Sequence, residues 1–313
     1  MRILVAPLNW GLGHATRSMA LIKKYLADGD EVMLAGDGDS FALLRKTFPT
    51  LPTVNLPPLN IRYSSGKSQV WAMLKAVPSI IGFSLKDHYF LSELLRHEQF
   101  DLVISDNRFG FYSDKARCVY LTHQLFPRLP KSFRWLEPFA AWCHKKIINR
   151  YAECWVPDFE NKDGSLAGDL SHGTPMPKNV KYIGPLSRFD GMNLKPDSTY
   201  EAVCVLSGPE PQRSLFEQSL VEQYSQSERT VLIVRGLPSK PATKLRKGNL
   251  VLVSHMSDNQ LAPILLGCRT IVCRSGYTSL MDMAALGVLP KVTFVPTPGQ
   301  PEQEYLSEWL QSH

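Results

Sequence analysis

The sequence predicts an α/β protein built from two doubly wound, Rossmann-like domains that face each other across a cleft. Three observations predict it. Short apolar, β-branched runs alternate with helix-spaced stretches along the whole chain, the pattern of parallel sheets covered by helices. The 313 residues are about twice a usual domain length. A stretch with two Pro and two Gly, 184–196, separates one such series from the next. The domains are therefore expected at 1–188 and 189–313.

Each element follows from its own residues. Ile3–Ala6 is a short buried strand. Met19–Leu26 has helical spacing, Glu31–Ala35 is the second strand, and Phe41–Phe48 is helical. Val70–Arg96 is long and amphipathic. Asp101–Ser105 and Cys118–Thr122 are strands, Leu136–Arg150 a helix and Cys154–Val156 a strand. The second series has strands at Ala202–Leu206, Thr230–Val234, Leu250–Val253, Thr270–Cys273 and Lys291–Val295. Helices fall between and after them, at Gln212–Tyr224, Asn259–Leu266, Thr278–Leu286 and Glu302–Leu310. Ligands of such folds bind at the carboxyl ends of the strands.

Composition narrows the function classes. With 44% hydrophobic and 20% charged residues the chain is neither disordered nor collagen-like. Six Cys without a CxxC pair or Cys/His ligand spacing argue against a disulfide framework or zinc module, and fit a reducing cytoplasm. The N-terminal apolar run is too short for a signal peptide, and no stretch approaches the ~18 apolar residues of a membrane span.

The net charge of +6 is unevenly placed. Residues 1–190 carry 24 Lys/Arg and 18 Asp/Glu, whereas 191–313 carry 11 of each. The excess peaks in 101–150, where Phe126, Phe133, Trp135, Phe139 and Trp142 are interleaved with the cations. Such a mixture suits an anionic membrane surface, a polyanionic acceptor or nucleic acid, or is simply a solvated helix face over core aromatics.

Two loops carry the chemistry. The first strand runs into Asn9-Trp10-Gly11-Leu12-Gly13-His14-Ala15-Thr16-Arg17 and then a helix. Gly11 and Gly13 let the backbone turn tightly, and free N–H groups at the helix start favour a phosphate or carboxylate. As a dinucleotide fingerprint the loop is weak, because Thr16 stands where the third Gly belongs; Asp37 keeps that reading open as a ribose-binding acid. His14 is a candidate general base, or only a helix-start histidine that bonds the loop. The second loop, Arg274-Ser275-Gly276-Tyr277-Thr278-Ser279, opens a helix with small and hydroxyl side chains suited to a diphosphate, or merely capped by Ser275. Asp282 lies one turn further on the face of Thr278 and could bind ribose hydroxyls. Gln303 could bind sugar hydroxyls through its amide. Asp106 with Asn107 follows another strand end and is a second candidate base pair, or a loop cap.

Gly11-x-Gly13-His14, Arg274-Ser275-Gly276, Thr278–Asp282 and Pro298–Gln303, in this order, resemble GT-B glycosyltransferases. The most similar family is family 28, typified by the N-acetylglucosaminyltransferase of lipid-linked peptidoglycan precursors. The resemblance implies a GT-B fold and an inverting, metal-independent sugar transfer. No resident cofactor is implied, only a nucleotide-sugar co-substrate, a UDP-sugar in the family. The acceptor would sit on the N-terminal domain and the donor on the C-terminal one. Donor contacts implied are Arg188, Ser207, Gly208, His255, Met256, Ser275, Gly276, Thr278, Ser279, Asp282 and Gln303. Asp282 replaces a Glu, and Pro209 and Pro211 in the 207–211 loop remove N–H donors. Acceptor contacts implied are Gly11, Gly13, His14, Asn107 and His123, with Trp10 narrowing the space a family Gly leaves open. His14 and Asp106 are the catalytic candidates.

The implied partners are a nucleotide sugar and a lipid-linked or polyanionic acceptor, at the inner face of an anionic membrane, and not nucleic acid. Family members continue well past Gln303, so ending at His313 implies either a truncated sequence or a shortened version of the protein. Two rivals remain: a nucleotide-sugar 2-epimerase, and a sugar-nucleotide-binding protein without catalysis.

Overall fold

A computed structural model describes residues 1–58, 69–208, 210–238 and 240–312; Pro209 of the 207–211 loop and the terminal His313 lie outside the described residues. In chain order the first half has β1 (Arg2–Pro7), α1 (Gly13–Ala27), β2 (Glu31–Gly36), α2 (Gly38–Thr47), β3 (Thr53–Asn55), α3 (Gln69–His97), β4 (Leu102–Asp106), β5 (Arg117–Leu121), α4 (Glu137–Ile148), β6 (Glu153–Val156) and β7 (Val180–Tyr182). The second half has β8 (Ala202–Val205), α5 (Gln212–Tyr224), β9 (Val231–Val234), β10 (Lys244–Lys247), β11 (Leu250–Val253), α6 (Asp258–Gly267), β12 (Thr270–Arg274), α7 (Tyr277–Ala285), β13 (Val292–Val295) and α8 (Pro301–Ser312).

The first half forms a seven-stranded parallel sheet, β3-β2-β1-β4-β5-β6-β7. The second forms a six-stranded sheet, β10-β11-β9-β8-β12-β13, parallel except for β10. The chain order reverses between β1 and β4 in one sheet and between β8 and β12 in the other. Crevices open at such switch points, beyond the strands' carboxyl ends. The loops after β1, β4, β8 and β12 are those that carry Gly11–His14, Asp106–Asn107, Ser207–Gly208 and Ser275–Gly276.

The predicted strands recur with small changes at their ends. Ile3, Leu4, Val5 and Ala6 are fully buried, as a central parallel strand covered on both faces requires. Three strands were not legible. β3 and β7 have three residues each, and β10 reads Lys-Leu-Arg-Lys, fully exposed on the antiparallel edge. Cationic side chains there blunt an open edge, so charge hides the strand from a hydrophobicity reading. In α1, Ala15, Met19 and Ile22 face the core, and Gly29 at φ +82° ends the helix after Asp28.

The stretch 184–196 lies between the two sheets, yet the halves share apolar packing. One core cluster joins Leu21, Ala167, Leu170 and Leu186 to Tyr277, Leu280, Met281 and Leu306. Burial of each of the Leu and Met side chains is worth about 1.5–3 kcal/mol. The last helix, α8, packs onto the N-terminal half. The Asp169 N–H donates to the Tyr305 hydroxyl at 2.8 Å and Trp309 Nε1 donates to the Ser165 carbonyl at 3.1 Å. A side chain at Gly168 would strike both rings. The docking loop is itself organised by buried Asp158, which accepts from the Ser165 and Ser171 hydroxyls at 2.6 Å and from the Leu166 N–H at 2.8 Å.

Candidate active site

The Asn9–Leu12 loop places His14 in the first turn of α1. Gly11 has φ +71°, a conformation that costs other residues but not glycine. Leu12 supplies no side-chain cap, so the first N–H groups of α1 stay available. His14 Nδ1 lies 2.8 Å from Asp106 Oδ1 at the end of β4. Arg17, one turn on in α1, donates from Nε to Asp106 Oδ2 at 2.7 Å and from Nη2 to Oδ1. Arg17 is 1% exposed and Asp106 0%, so neither charge could exist without the other.

The partners assign the tautomers. Arg17 Nη2 also lies 2.9 Å from His14 Nδ1, but a lone pair on Nδ1 would face the Asp106 carboxylate, so the proton is assigned to Nδ1 and Nε2 is left as a lone pair. Among the described residues no hydrogen bond is made by that Nε2. Burial pushes the His14 pKa down, opposed by Asp106 and aided by Arg17, which keeps the ring neutral near pH 7. Burial would raise Asp106, but Arg17 and His14 outweigh it and hold the carboxyl down at about 2. The pairing of a neutral imidazole with a fixed carboxylate is the arrangement of a general base. Asp106, the other candidate base, is sealed from solvent and both its oxygens are engaged by His14 and Arg17. Its neighbour Asn107, at φ +56°, accepts from the Tyr120 hydroxyl at 3.1 Å through Oδ1.

The network continues into the C-terminal half. Arg17 Nη1 lies 3.1 Å from His123 Nδ1, and His123 Nε2 lies 2.8 Å from Glu302 Oε1 in α8. Arg17 can only donate, so His123 accepts at Nδ1 and donates from Nε2. Its ring stacks on Tyr277 at 4.1 Å between centroids. Burial would raise Glu302, but His123, His14 and Arg17 keep its pKa below the ordinary value. His123 is thus a link inside the protein, 6% exposed, rather than a free acceptor contact. Sequence reasoning missed Arg17, Glu302 and Tyr277. The spacing of Arg17 three residues after His14, on one helix face, was the available signal.

The C-terminal side of the cleft is built differently. Gly13 and α7 touch: the Thr278 hydroxyl donates to the Gly13 carbonyl at 3.1 Å. Gly276 begins α7 without a side-chain cap, and a Cβ there would meet nothing. Gly208, at φ +101°, likewise faces open space. Pro211 precedes α5 without a cap of its own, but the Glu210 carboxylate occupies that helix start and accepts from the Ser214 N–H at 3.1 Å. The uncapped start of α7, beside open Gly276, suits an anion such as a diphosphate. Ser279 lies half-buried in the first turn of α7. Half-buried His255 and Met256 follow β11; burial, with Lys46 and Arg188 nearby, lowers the His255 pKa.

Several expected donor side chains are already committed. Ser275 is fully buried and its hydroxyl donates to the Gln303 carbonyl at 2.8 Å. The Gln303 amide holds its own loop, accepting from the Thr297 N–H at 2.9 Å and donating to Gln300 at 2.6 Å. Asp282, 3% exposed, accepts from Ser187 Oγ at 2.8 Å and Arg188 Nε at 3.0 Å. Arg188 also meets Asp258 at 3.2 Å, so two carboxylates balance the charge expected at the diphosphate. Asp37 donates nothing to a dinucleotide reading: its carboxylate is 3.0 Å from buried Arg108 and 3.3 Å from Asn9 Nδ2. No group of three or more metal-ligating side chains occurs among the described residues.

No family profile matches the chain. A Methanosarcina acetivorans protein named an uncharacterized glycosyltransferase is 24% identical over 97% of this chain and 80% of its own length. Among solved structures, the calicheamicin glycosyltransferase CalG4 superposes with a TM-score of 0.63 at 14% identity, over 98% of this chain and 83% of that one. A complex of Phytolacca americana UGT2 with UDP-2-fluoroglucose and pterostilbene superposes with a TM-score of 0.59 at 14% identity, over 99% and 83%. The fold is that of the GT-B glycosyltransferases. The curated relatives are named glycosyltransferases too, and the chain spans about four-fifths of their length.

Proposed function

We propose that this protein is an inverting, metal-independent glycosyltransferase that moves a sugar from a UDP-sugar to an acceptor hydroxyl. The observation that carries the reading is the buried Arg17–Asp106–His14 array, which leaves His14 Nε2 as a lone pair in the first turn of α1, where Gly13 meets Thr278 of α7. The resemblance of 270–304 to family 28 and the UDP-sugar in the Phytolacca americana complex support the donor class.

In this reading the acceptor hydroxyl gives its proton to His14 Nε2. Its oxygen attacks the anomeric carbon from the side opposite the diphosphate. The bond from that carbon to the diphosphate oxygen breaks, and the released negative charge meets the N–H groups at the start of α7. A non-catalytic sugar-nucleotide-binding role is favoured by one observation, the mutual satisfaction of Asp282, Ser187 and Arg188. Calorimetry with a panel of nucleotide sugars, followed by UDP release with and without acceptor alcohols, separates the two. Transfer predicts binding and acceptor-dependent UDP release. Binding without release supports the second reading, and no binding sinks both.

The acceptor in this reading is anionic or lipid-linked and is met at an anionic membrane surface. Trp135, Phe139 and Trp142 are 73%, 62% and 55% exposed and recur at helical spacing around α4. Beside them a cavity of about 910 Å³ is lined by Arg134, Lys145, Lys146 and Trp142. The Lys146 ammonium sits 5.1 Å over the Trp142 ring. Exposed aromatics with a cationic rim suit an interfacial helix. No helix among the described residues is long and apolar enough to cross a membrane. Flotation with liposomes containing anionic lipid tests this: Lys145→Glu with Lys146→Glu should abolish co-flotation, and unchanged binding refutes the contact.

A further inference from the structure

The base at His14 is one end of a buried polar chain whose other end belongs to the opposite domain. The charged and titratable groups facing His14 are Asp106 from β4, Arg17 from its own helix, His123 after β5 and Glu302 from α8, with the Tyr277 ring behind His123. Burial pushes Tyr277 far above its ordinary pKa, so it is neutral. The tautomers assigned above make both histidines neutral. The cluster therefore holds one positive charge, Arg17, and two negative charges, Asp106 and Glu302.

That count matters for proton transfer. When His14 takes a proton, a cluster carrying one net negative charge becomes neutral. Without the Glu302 carboxylate, a neutral cluster would become positive inside the protein, which is unfavourable. Glu302 is one-third exposed on its side chain, but its helix is fixed. Leu306 is fully buried in the shared core, and Tyr305 and Trp309 bond the 165–169 loop.

We propose that Glu302 is a positioning residue for proton transfer. Through His123 and Arg17 it holds Asp106 on His14, and it supplies the negative charge that lets His14 take up a proton, so the base is complete only while α8 is docked on the N-terminal half. The proposal rests on the reading of His14 as the base. It makes domain docking a condition for chemistry, because one member of the relay is brought by the C-terminal half.

The test uses the full chain, without ligand for the titrations and with donor and acceptor for the rate profile. The His14 imidazole is titrated by NMR in the wild type and in Glu302→Gln. The proposal expects the His14 pKa to fall by about one unit in Glu302→Gln, and the acid limb of the transfer-rate profile to move the same way. Glu302→Asp keeps the charge and should recover most of the shift. Should Glu302→Gln fail to fold, Glu302→Ala removes the same charge and is titrated instead. An unchanged His14 titration in a folded neutral variant, or no recovery in Glu302→Asp, overturns the proposal. Failure of the underlying reading looks different: His14→Ala would then retain transfer, whatever the titrations show.

Discussion

The two walls of the cleft solve different problems with different parts. The N-terminal wall holds four side chains, His14, Arg17, Asp106 and His123, in a buried network in which nearly every donor and acceptor is spoken for. The C-terminal wall presents backbone: open glycines at 208 and 276 and the uncapped start of α7, while its polar side chains bond one another. A proton acceptor needs one nitrogen held at one angle, and burial with a counter-charge provides that. A diphosphate needs several donors and room, which free N–H groups and missing Cβ atoms provide. The difference teaches that damage to the first wall should appear in turnover, and damage to the second in donor affinity.

The sharpest way to break that contrast is His14→Ala. Loss of a general base is expected to lower the transfer rate about 10²–10⁴-fold while the calorimetric donor affinity stays unchanged. A fall in donor affinity instead would merge the two walls into one.

Asp106→Asn comes next and reads stability. It leaves the Arg17 guanidinium uncompensated inside the protein, a loss of about 3 kcal/mol in urea unfolding near pH 6. The sign of its pH dependence follows from the Asp106 carboxyl, which is held at about 2, below its ordinary 3.8. A depressed carboxyl stabilises the fold above the higher value, and that contribution is lost as pH falls through the lower one. The wild type should therefore lose about 2 kcal/mol between pH 5 and pH 2 from this group. The gap to the variant narrows over the same range; a constant gap contradicts the pairing.

Gly276→Val should act on the other wall. Its side chain would project into the open space before α7 and weaken donor binding about tenfold, with no loss of thermal stability, because nothing stands within 4 Å of the added Cβ. Gly13→Ala should have the smallest effect. Its Cβ would approach Thr278 Oγ1 to 2.9 Å, so the hydroxyl must rotate and release the Gly13 carbonyl. The expected cost is about 1 kcal/mol in unfolding, and it separates the contact between the walls from the function of either.

Much of the fold was legible because buried parallel strands are nearly continuous apolar runs. Ile3–Ala6, Val231–Val234 and Ile271–Cys273 could hardly be anything else once helical stretches alternate with them. β10 escaped because its exposed edge is made of Lys and Arg, which read as surface. At the site, the glycine loops and His14 stood out locally, since a strand, a tight turn and a helix start leave a short-range pattern. Asp106 could be found as a strand end but not as a partner, because its place beside His14 depends on two strands pairing across 92 residues. Glu302 was out of reach for the same reason, 179 residues from His123.

The sequence by itself determined two α/β halves, the loops at their strand ends and a cationic excess confined to the first half, because these depend on local periodicity and composition. Only the tertiary structure decided which groups share a charge. It set Asp106 against His14 and Arg17, tied Asp282 and Arg188 to each other, and carried Glu302 to His123. Hydrogen bonds and ion pairs in a buried site depend on distances of about 3 Å, and a linear chain does not encode those distances until it has packed.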